Sequence, residues 1–343
     1  MSKSRVLGLM LRVLVLGLTV YIIVNLLRKI NFAEVWSAIS TLTWVEVVVL
    51  ALLLSILRTL NAAPISFFIP NLSLPRAVLN DLSGNLISTV SPPPSDMVVR
   101  YSMFKEWGIE LTSGFAGVTL NTLLFYVIRF GAPILGVAIL ILGSELQNGM
   151  VLSSLISGLV AILILVSLVA VVRAKRFAIA VGRLCGRVAH RFRPDDVDAD
   201  VWASKIVEFR VLAGDRLERN WPRASTALLA MVLTDGCILI YCSRAVSIPS
   251  SVIGGFLVIG AFLVAYPLTA LPFAGIGILD AVLYELAVSR AGEAYSSNVV
   301  AALVIWRVTT LLVPLVVGGI SYGLWRRGRG HVELAVLPED LHA

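Results

Sequence analysis

A few charged residues stand inside sequence that is otherwise apolar: Arg58, Asp96, Arg100, Arg129, Asp235, Asp280 and Arg307, with Glu285 close behind Asp280. An ionisable side chain within a membrane-spanning stretch is costly, so it faces a cavity or a partner and marks a candidate site. Asp96 and Arg100 are spaced i,i+4, one helical turn apart on one face. A guanidinium keeps its charge and offers a planar fork of donors that matches phosphate oxygens. Arginines at membrane depth therefore favour a phosphate-bearing lipid, a phospholipid headgroup or a lipid-linked phosphate, over a neutral solute. The substrate-binding candidates are Arg58, Asp96, Arg100, Asp280 and Arg307, while Arg129 and Asp235 are intramembrane charges without an assigned role. The competing reading is that Arg129, Arg307, Asp235 and Asp280 neutralise one another as structural pairs. Arg244 closes a span and reads as a snorkelling anchor.

Other chemistries find little material. Cys185, Cys237 and Cys242 are odd in number and lack metal-ligand spacing, and His190, His331 and His342 fall in loop or tail sequence. No GxxxxGK[ST] loop is present, so nucleotide hydrolysis is not expected. The expectation is a protein that is not an enzyme and needs no metal or cofactor.

The elements that must position these charges follow from composition. The 343 residues are 58% hydrophobic and 14% charged, with a mean hydropathy of +0.92. A soluble domain carries about 25% charged residues, so soluble enzymes, nucleic-acid modules and disordered tails are excluded. The net charge of +7 then reports cytoplasmic loops rather than a nucleic-acid partner.

Seven stretches are apolar enough to span a bilayer: 6–27, 44–60, 113–142, 150–172, 224–243, 252–271 and 298–324. The first follows Lys3 and Arg5, has no small-residue cleavage site, and reads as a retained anchor. Twelve Lys/Arg between Arg173 and Arg223 mark a cytoplasmic loop, and Arg326, Arg327 and Arg329 mark a cytoplasmic tail over 326–343. Both termini are then expected inside a plasma membrane, which requires an even number of crossings. The missing crossing is assigned to two badly shaped apolar segments. One, 61–95, carries Pro64, Pro70, Pro75 and the run ending at Pro94; the other, 267–292, carries Pro267, Pro272, Gly275 and Gly277. Uncharged sequence from Ala245 to Leu279 would be about 52 Å long as one helix, too long for a single span. It must bend or break, and irregular backbone at membrane depth is tolerated only against protein or a water-filled cavity. Pro94, Pro272, Gly275 and Gly277 are the expected hinges.

The two segments resemble each other. Asp96 precedes Gly108 by twelve residues and Asp280 precedes Gly292 by twelve, each acid following a break and each glycine preceding a long apolar span. By the charge argument one following span leaves the cytoplasm and the other returns, so the copies are inverted, an architecture of secondary transporters. The plainer alternative is that prolines and glycines only kink two hydrophobic hairpins.

The stretch Leu271-Pro272-Phe273-Ala274-Gly275-Ile276-Gly277-Ile278-Leu279-Asp280-Ala281, followed by Gly292, Trp306-Arg307 and Pro314, resembles the signature of the flippase-like family that includes the transmembrane region of lysylphosphatidylglycerol synthases. Asp280 stands where that family has glutamate, and Phe273 and Ala274 where it has glycines. Ser91 to Arg100 is similar to the family's Pro-x-x-x-Gly-Glu-x-x-x-Arg, with Ser95-Asp96 for Gly-Glu, and Arg58 matches an arginine carried there. The family's Glu-Arg pair falls near Leu120-Asn121, where this chain has neither charge. The resemblance implies translocation of a lipid or lipid-linked headgroup between leaflets. The sequence ends shortly after the last span, so no soluble aminoacyl-transferase domain, and no synthase activity, is expected of it.

The resulting expectation is an all-α polytopic membrane protein with about eight transmembrane helices, or crossings, and two broken or re-entrant segments forming an inverted repeat. Its substrate would be a membrane phospholipid or lipid-linked phosphate. Two other functions compete: a membrane-embedded transferase on a lipid-linked substrate, and a non-catalytic partner subunit of a lipid or envelope biosynthesis system. The second would use the basic 173–223 loop toward a protein partner or an anionic lipid surface.

Overall fold

The computed structural model describes residues 40, 42–90, 95–146, 149–174, 176, 179–180, 183 and 199–335. The expected first span (6–27), the hinge at Pro94 and the end of the tail lie outside them. Every regular element among the described residues is a helix, and they include no strand. Helix α1 is Trp44–Phe68, α2 Leu74–Val90, α3 Ser95–Glu106, α4 Leu111–Leu142, α5 Met150–Arg173 and α6 Ala199–Ala245. Then come α7, Gly255–Ala265, two 3₁₀ turns at Tyr266–Ala270 and Pro272–Gly275, α8, Ile278–Ala291, and α9, Ser296–Arg307. A π turn at Val308–Leu312 joins α9 to α10, Val313–Ala335.

Local sequence explains the ends that matter. Thr43 and Glu46 form a capping box at the start of α1, the Thr43 N–H donating to the Glu46 carboxylate at 2.7 Å. Helix α1 stops where Ile69 turns extended, just before Pro70, and Asn71 takes a positive φ of 63°. Gly108 (φ +69°) and Gly292 (φ +82°) both adopt the backbone that favours glycine. The twelve-residue spacing of acid and glycine is therefore the spacing of a short helix closed by a left-handed turn, used twice.

Contacts at helix ends fix the direction in which each helix runs. The Trp325 indole donates to the Glu106 carboxylate at 2.8 Å, so α10 ends at the face where α4 begins. Arg216 donates to the Ser113 hydroxyl at 2.6 Å on that same face, where Lys105, Arg326 and Arg327 also cluster; it is the basic face. At the other face Arg290 pairs with Glu145 at 2.8 Å, and the Asn298 amide donates to the Val246 carbonyl at 2.8 Å. Helices α4 and α6 therefore run from the basic face to the opposite one, and α9–α10 runs back.

The two broken segments do not cross. The turn after α1 lies at the basic face, where Gly117 of α4 packs on Ile69; α2 descends from it, and α3 returns to it at Glu106. The Arg76 guanidinium over the Trp107 ring, 5.6 Å from its centroid, holds the two open ends of this hairpin together. Helix α7 starts at the opposite face, where Phe256 packs on Gly143, and α8 returns there at Arg290. Each segment is a re-entrant hairpin, and the two enter from opposite faces.

Neighbour relationships repeat in the same way. Helices α1 and α6 pack on one another, α2 lies on α10, and α7 lies on α4. Glycines permit both exchanges: a Cβ on Gly318 would sit 2.6 Å from the Leu82 carbonyl oxygen, and one on Gly136 would sit 2.8 Å from the Gly260 carbonyl oxygen. Membrane helices lack a hydrophobic drive to associate with each other and rely on such close approach of small residues.

Five helical stretches are long and apolar enough to cross a membrane, Trp44–Phe68, Leu111–Leu142, Met150–Val171, Ala213–Ala245 and Glu293–Arg327, with a shorter apolar stretch at Gly255–Ala270. Leu52 and Ile56 of α1, Leu155 and Leu159 of α5 and Val316 and Ile320 of α10 point outward, as a lipid-facing surface requires. The expected span 252–271 is the first leg of a hairpin, because Pro267 breaks it after an 11-residue α-helix, about 16 Å long. The basic stretch expected as a loop over 173–223 is helical from Ala199, continuous with the following span despite Pro222. The segment 61–95 stays helical past Pro64 to Phe68 before it breaks.

Candidate functional site

Two charge centres occupy the hairpins. The first joins α1, α2 and α3. Arg58 Nη2 donates to Asp81 Oδ2 at 2.7 Å, and the Asn61 amide donates to the same oxygen at 2.9 Å. Arg100 lies 3.8 Å from Asp81 Oδ1 and 3.7 Å from Asp96 Oδ2, and its Nη1 donates to Asn80 Oδ1 at 3.1 Å. Asn80 is fully buried and also donates to the Arg100 carbonyl at 3.2 Å, which ties α2 to α3. Gly84 leaves the space that the Arg100 guanidinium fills; a Cβ there would run into it.

This centre is not fully satisfied. Arg58 Nε, Ser83 Oγ and Tyr101 Oη are buried without a hydrogen-bond partner among the described residues. A buried polar atom without a partner is disfavoured by about 1–3 kcal/mol, and three of them on the three helices of one centre describe a site made for something else.

The second centre joins α8 and α9. Arg307 grips Asp280 with two bonds, Nε to Oδ1 at 2.7 Å and Nη2 to Oδ2 at 3.1 Å, the bidentate form that guanidinium geometry favours. Arg307 Nη1 donates to the Ala274 carbonyl at 3.3 Å, and the Gly277 N–H donates to Asp280 Oδ2 at 2.7 Å. Ala274 is the strained residue of the hinge, with φ of 53°, while Gly275 and Gly277 take φ of 69° and 86° as glycines do readily. Asp280 thus closes the first turn of α8 as its favoured anion and binds the arginine with the same carboxylate. The break supplies a carbonyl and an N–H that an unbroken helix would have consumed.

The Trp306 ring extends the second centre into the core. Its face carries the Arg307 guanidinium at 4.4 Å, its indole N–H donates to Asp235 Oδ1 at 2.7 Å, and Phe262 meets it edge to face at 5.7 Å. The Trp306 ring thus links Arg307 to Asp235 of α6, and α1, which carries Arg58, packs on the same helix.

Of the expected site residues, Arg58, Asp96 and Arg100 come together in the first centre and Asp280 and Arg307 in the second. Pro272 and Gly275 form the 3₁₀ turn before α8, with Gly277 at its start. Arg129 joins neither; it lies over Phe125 and Tyr126 at 4.4 and 5.2 Å. The mutual neutralisation of Arg129, Arg307, Asp235 and Asp280 holds only for Arg307 and Asp280, because Asp235 is engaged by an indole N–H and Arg129 by aromatic rings. Asp81, which links both arginines of the first centre, was not among the expected residues, nor were Asn61, Asn80 and Gly84. The signal for Asp81 was there: an Asn80-Asp81 pair within a segment already marked as broken.

The fold and site define an all-α, multi-pass membrane protein with two re-entrant hairpins of opposite orientation, each carrying an arginine–carboxylate centre. The sequence matches the lysylphosphatidylglycerol synthase TM region family over residues 9–318, and the chain belongs to that family. Comparison with curated proteins and with solved structures gives no match in either set. Family and fold together describe a lipid-related membrane protein.

Proposed function

We propose that this protein translocates a lipid or lipid-linked headgroup between leaflets, as a transporter rather than an enzyme. The observation that carries the reading is the first centre: two arginines share Asp81 at membrane depth while Arg58 Nε, Ser83 Oγ and Tyr101 Oη stay unpaired beside them. A headgroup phosphate entering from the basic face meets Arg58 and Arg100, displaces the weaker 3.7–3.8 Å contacts of Arg100, and takes up the unpaired donors. Arg307 offers the corresponding fork from the other hairpin. Asp96 and Asp280 hold the arginines in place or receive a cationic part of the headgroup. The acyl tails remain in the surrounding lipid.

The physical gain is the desolvation avoided. A headgroup crossing hydrocarbon alone loses the hydration of its charge, whereas here fixed counter-charges accompany it. Arg58 stands about 15 Å along α1 from Phe68, and Arg307 about 16 Å along α9 from Ser296, at about 1.5 Å per residue. Entered from opposite faces, both lie near the middle of a core of about 30 Å.

The distribution of basic residues sets the orientation in this reading. Lys105, Arg173, Arg216, Arg326 and Arg327 gather at one face, which the positive-inside rule places in the cytoplasm of a plasma membrane. The five crossings and the expected one at 6–27 make an even number and put both termini inside.

The test uses purified protein in phosphatidylglycerol and phosphatidylethanolamine vesicles with acyl-labelled fluorescent phosphatidylglycerol, read by a membrane-impermeant quencher. Protein accelerates exchange of the probe between leaflets, and Arg100→Gln with Arg307→Gln abolishes the acceleration. Equal exchange with both replacements present rejects the assignment.

A further inference from the structure

Asp81, Asp96 and Asp280 each have an arginine within 4 Å. Asp235 has none among the described residues. Its Oδ1 accepts the Trp306 indole N–H at 2.7 Å, and its Oδ2 accepts no hydrogen bond from them. The carboxylate stands about 15 Å along α6 from Ala245, on a helix whose neighbouring turns bury Met231, Val232, Ile238 and Leu239.

A carboxylate at this depth without a counter-ion takes up a cation, and the surroundings choose which. A metal ion needs several oxygen ligands, and no group of three or more His, Cys, Asp or Glu able to hold one occurs among the described residues. The nearest polar neighbour is an N–H, a donor that repels a metal ion but tolerates a carboxylic acid, whose carbonyl oxygen still accepts it. We infer that Asp235 is a proton-binding site, and that its protonation couples transport to a proton gradient. This rests on the translocation reading for the coupling and on the local geometry for the proton.

The groups around it allow the charge of Asp235 to be felt where headgroups bind. Arg307 from α9 and Arg58 from α1 both act on it, Tyr266 faces it from the turn after α7 with Arg129 of α4 acting on that tyrosine in turn, and Cys242 lies on its own helix. The Trp306 ring touches both Asp235 and Arg307. An ionised Asp235 adds a negative charge near the arginines that opposes a phosphate there, and a protonated one removes that opposition. Proton uptake thus favours the phosphate-bound state.

Wild-type protein and Asp235→Asn, which keeps an acceptor for Trp306, are compared in the vesicles described above under an imposed pH gradient with the membrane potential clamped. One proton per cycle shifts the wild-type leaflet ratio of the probe about tenfold per pH unit, while Asp235→Asn moves the probe without responding to the gradient. A purely structural role would not separate movement from gradient response. A wild type that moves lipid but ignores the gradient, or an Asp235→Asn that still follows it, overturns the coupling and leaves translocation standing. If neither protein moves the probe, translocation falls, and infrared titration decides the proton site alone. A protonated-carboxyl band present in wild type and missing from Asp235→Asn upholds it, and no such band in wild type overturns it.

Discussion

Glu145, just after α4, and Arg290, at the end of α8, form a 2.8 Å ion pair between residues 145 positions apart in the sequence. With Trp325 on Glu106 at the other face, this pair makes the two halves antiparallel. Charge counting anticipates the inversion, but the contacts at helix ends establish it for the described residues. They also change the role of the apolar stretch at 252–271, which enters and leaves by one face.

The opposed hairpins can be checked by cross-linking. In a background lacking Cys185, Cys237 and Cys242, the pairs Glu145→Cys with Arg290→Cys and Glu106→Cys with Trp325→Cys both form disulfides under mild oxidation. A membrane-impermeant thiol reagent labels the first pair from one side of sealed vesicles and the second from the other. Labelling of both pairs from one side contradicts the arrangement.

Asp81 holds the first centre together, so its loss leaves two guanidinium groups without their shared anion. Removing one partner of a buried ion pair destabilises by about 3–5 kcal/mol, and Asp81→Asn should fall near the lower end because the amide oxygen it introduces can still accept from Arg58 and Asn80 still accepts from Arg100. The drop in midpoint is read by detergent-denaturation titration. Arg58→Met together with Asp81→Leu recovers much of the loss while abolishing lipid movement, which separates stability from function.

At Arg307 the bidentate geometry matters as well as the charge. Arg307→Lys keeps the charge but loses one of the two bonds to Asp280. Hydrogen bonds to charged groups contribute about 1.5–3 kcal/mol, so probe exchange slows by about tenfold or more. A lysine variant with wild-type exchange would mean that only charge is used.

Close packing gives a control-paired test. Gly318→Val drives a side chain into the Leu82 carbonyl and lifts α10 from α2, whereas the same change at Gly319, which has open space around it, is tolerated. Thermal unfolding followed by size-exclusion chromatography shows a lowered midpoint for the first variant only.

The charges of the site were legible because each stands out against apolar sequence: Arg58, Arg100, Asp280 and Arg307 have no reason to be there except a partner. The turns at Gly108 and Gly292 were legible from a shared spacing. Asp81 was legible only as one of a polar Asn80-Asp81 pair in a broken segment, and the fold adds that Asn80, Asp81 and Ser83 lie buried on one helix beside two arginines. The role of 252–271 was hidden for a different reason. Composition reports that a segment is buried in lipid or protein, and a hairpin leg and a crossing look alike by that measure. The reach of α6 back to Ala199 was masked by charge density, which is high on an exposed helix as well as in a loop.

The seat of α2 on α10 bears on how the protein is made. Synthesis delivers Gly318 some 236 residues after Leu82, so the first hairpin enters the bilayer long before the helix that covers it exists. Contacts so distant in sequence form late and slowly, and an unfinished chain exposes its charge centre to lipid meanwhile. Assembly of this region therefore has a built-in late step, and truncation anywhere before Gly318 leaves the earlier half inserted but open, a natural substrate for membrane quality control.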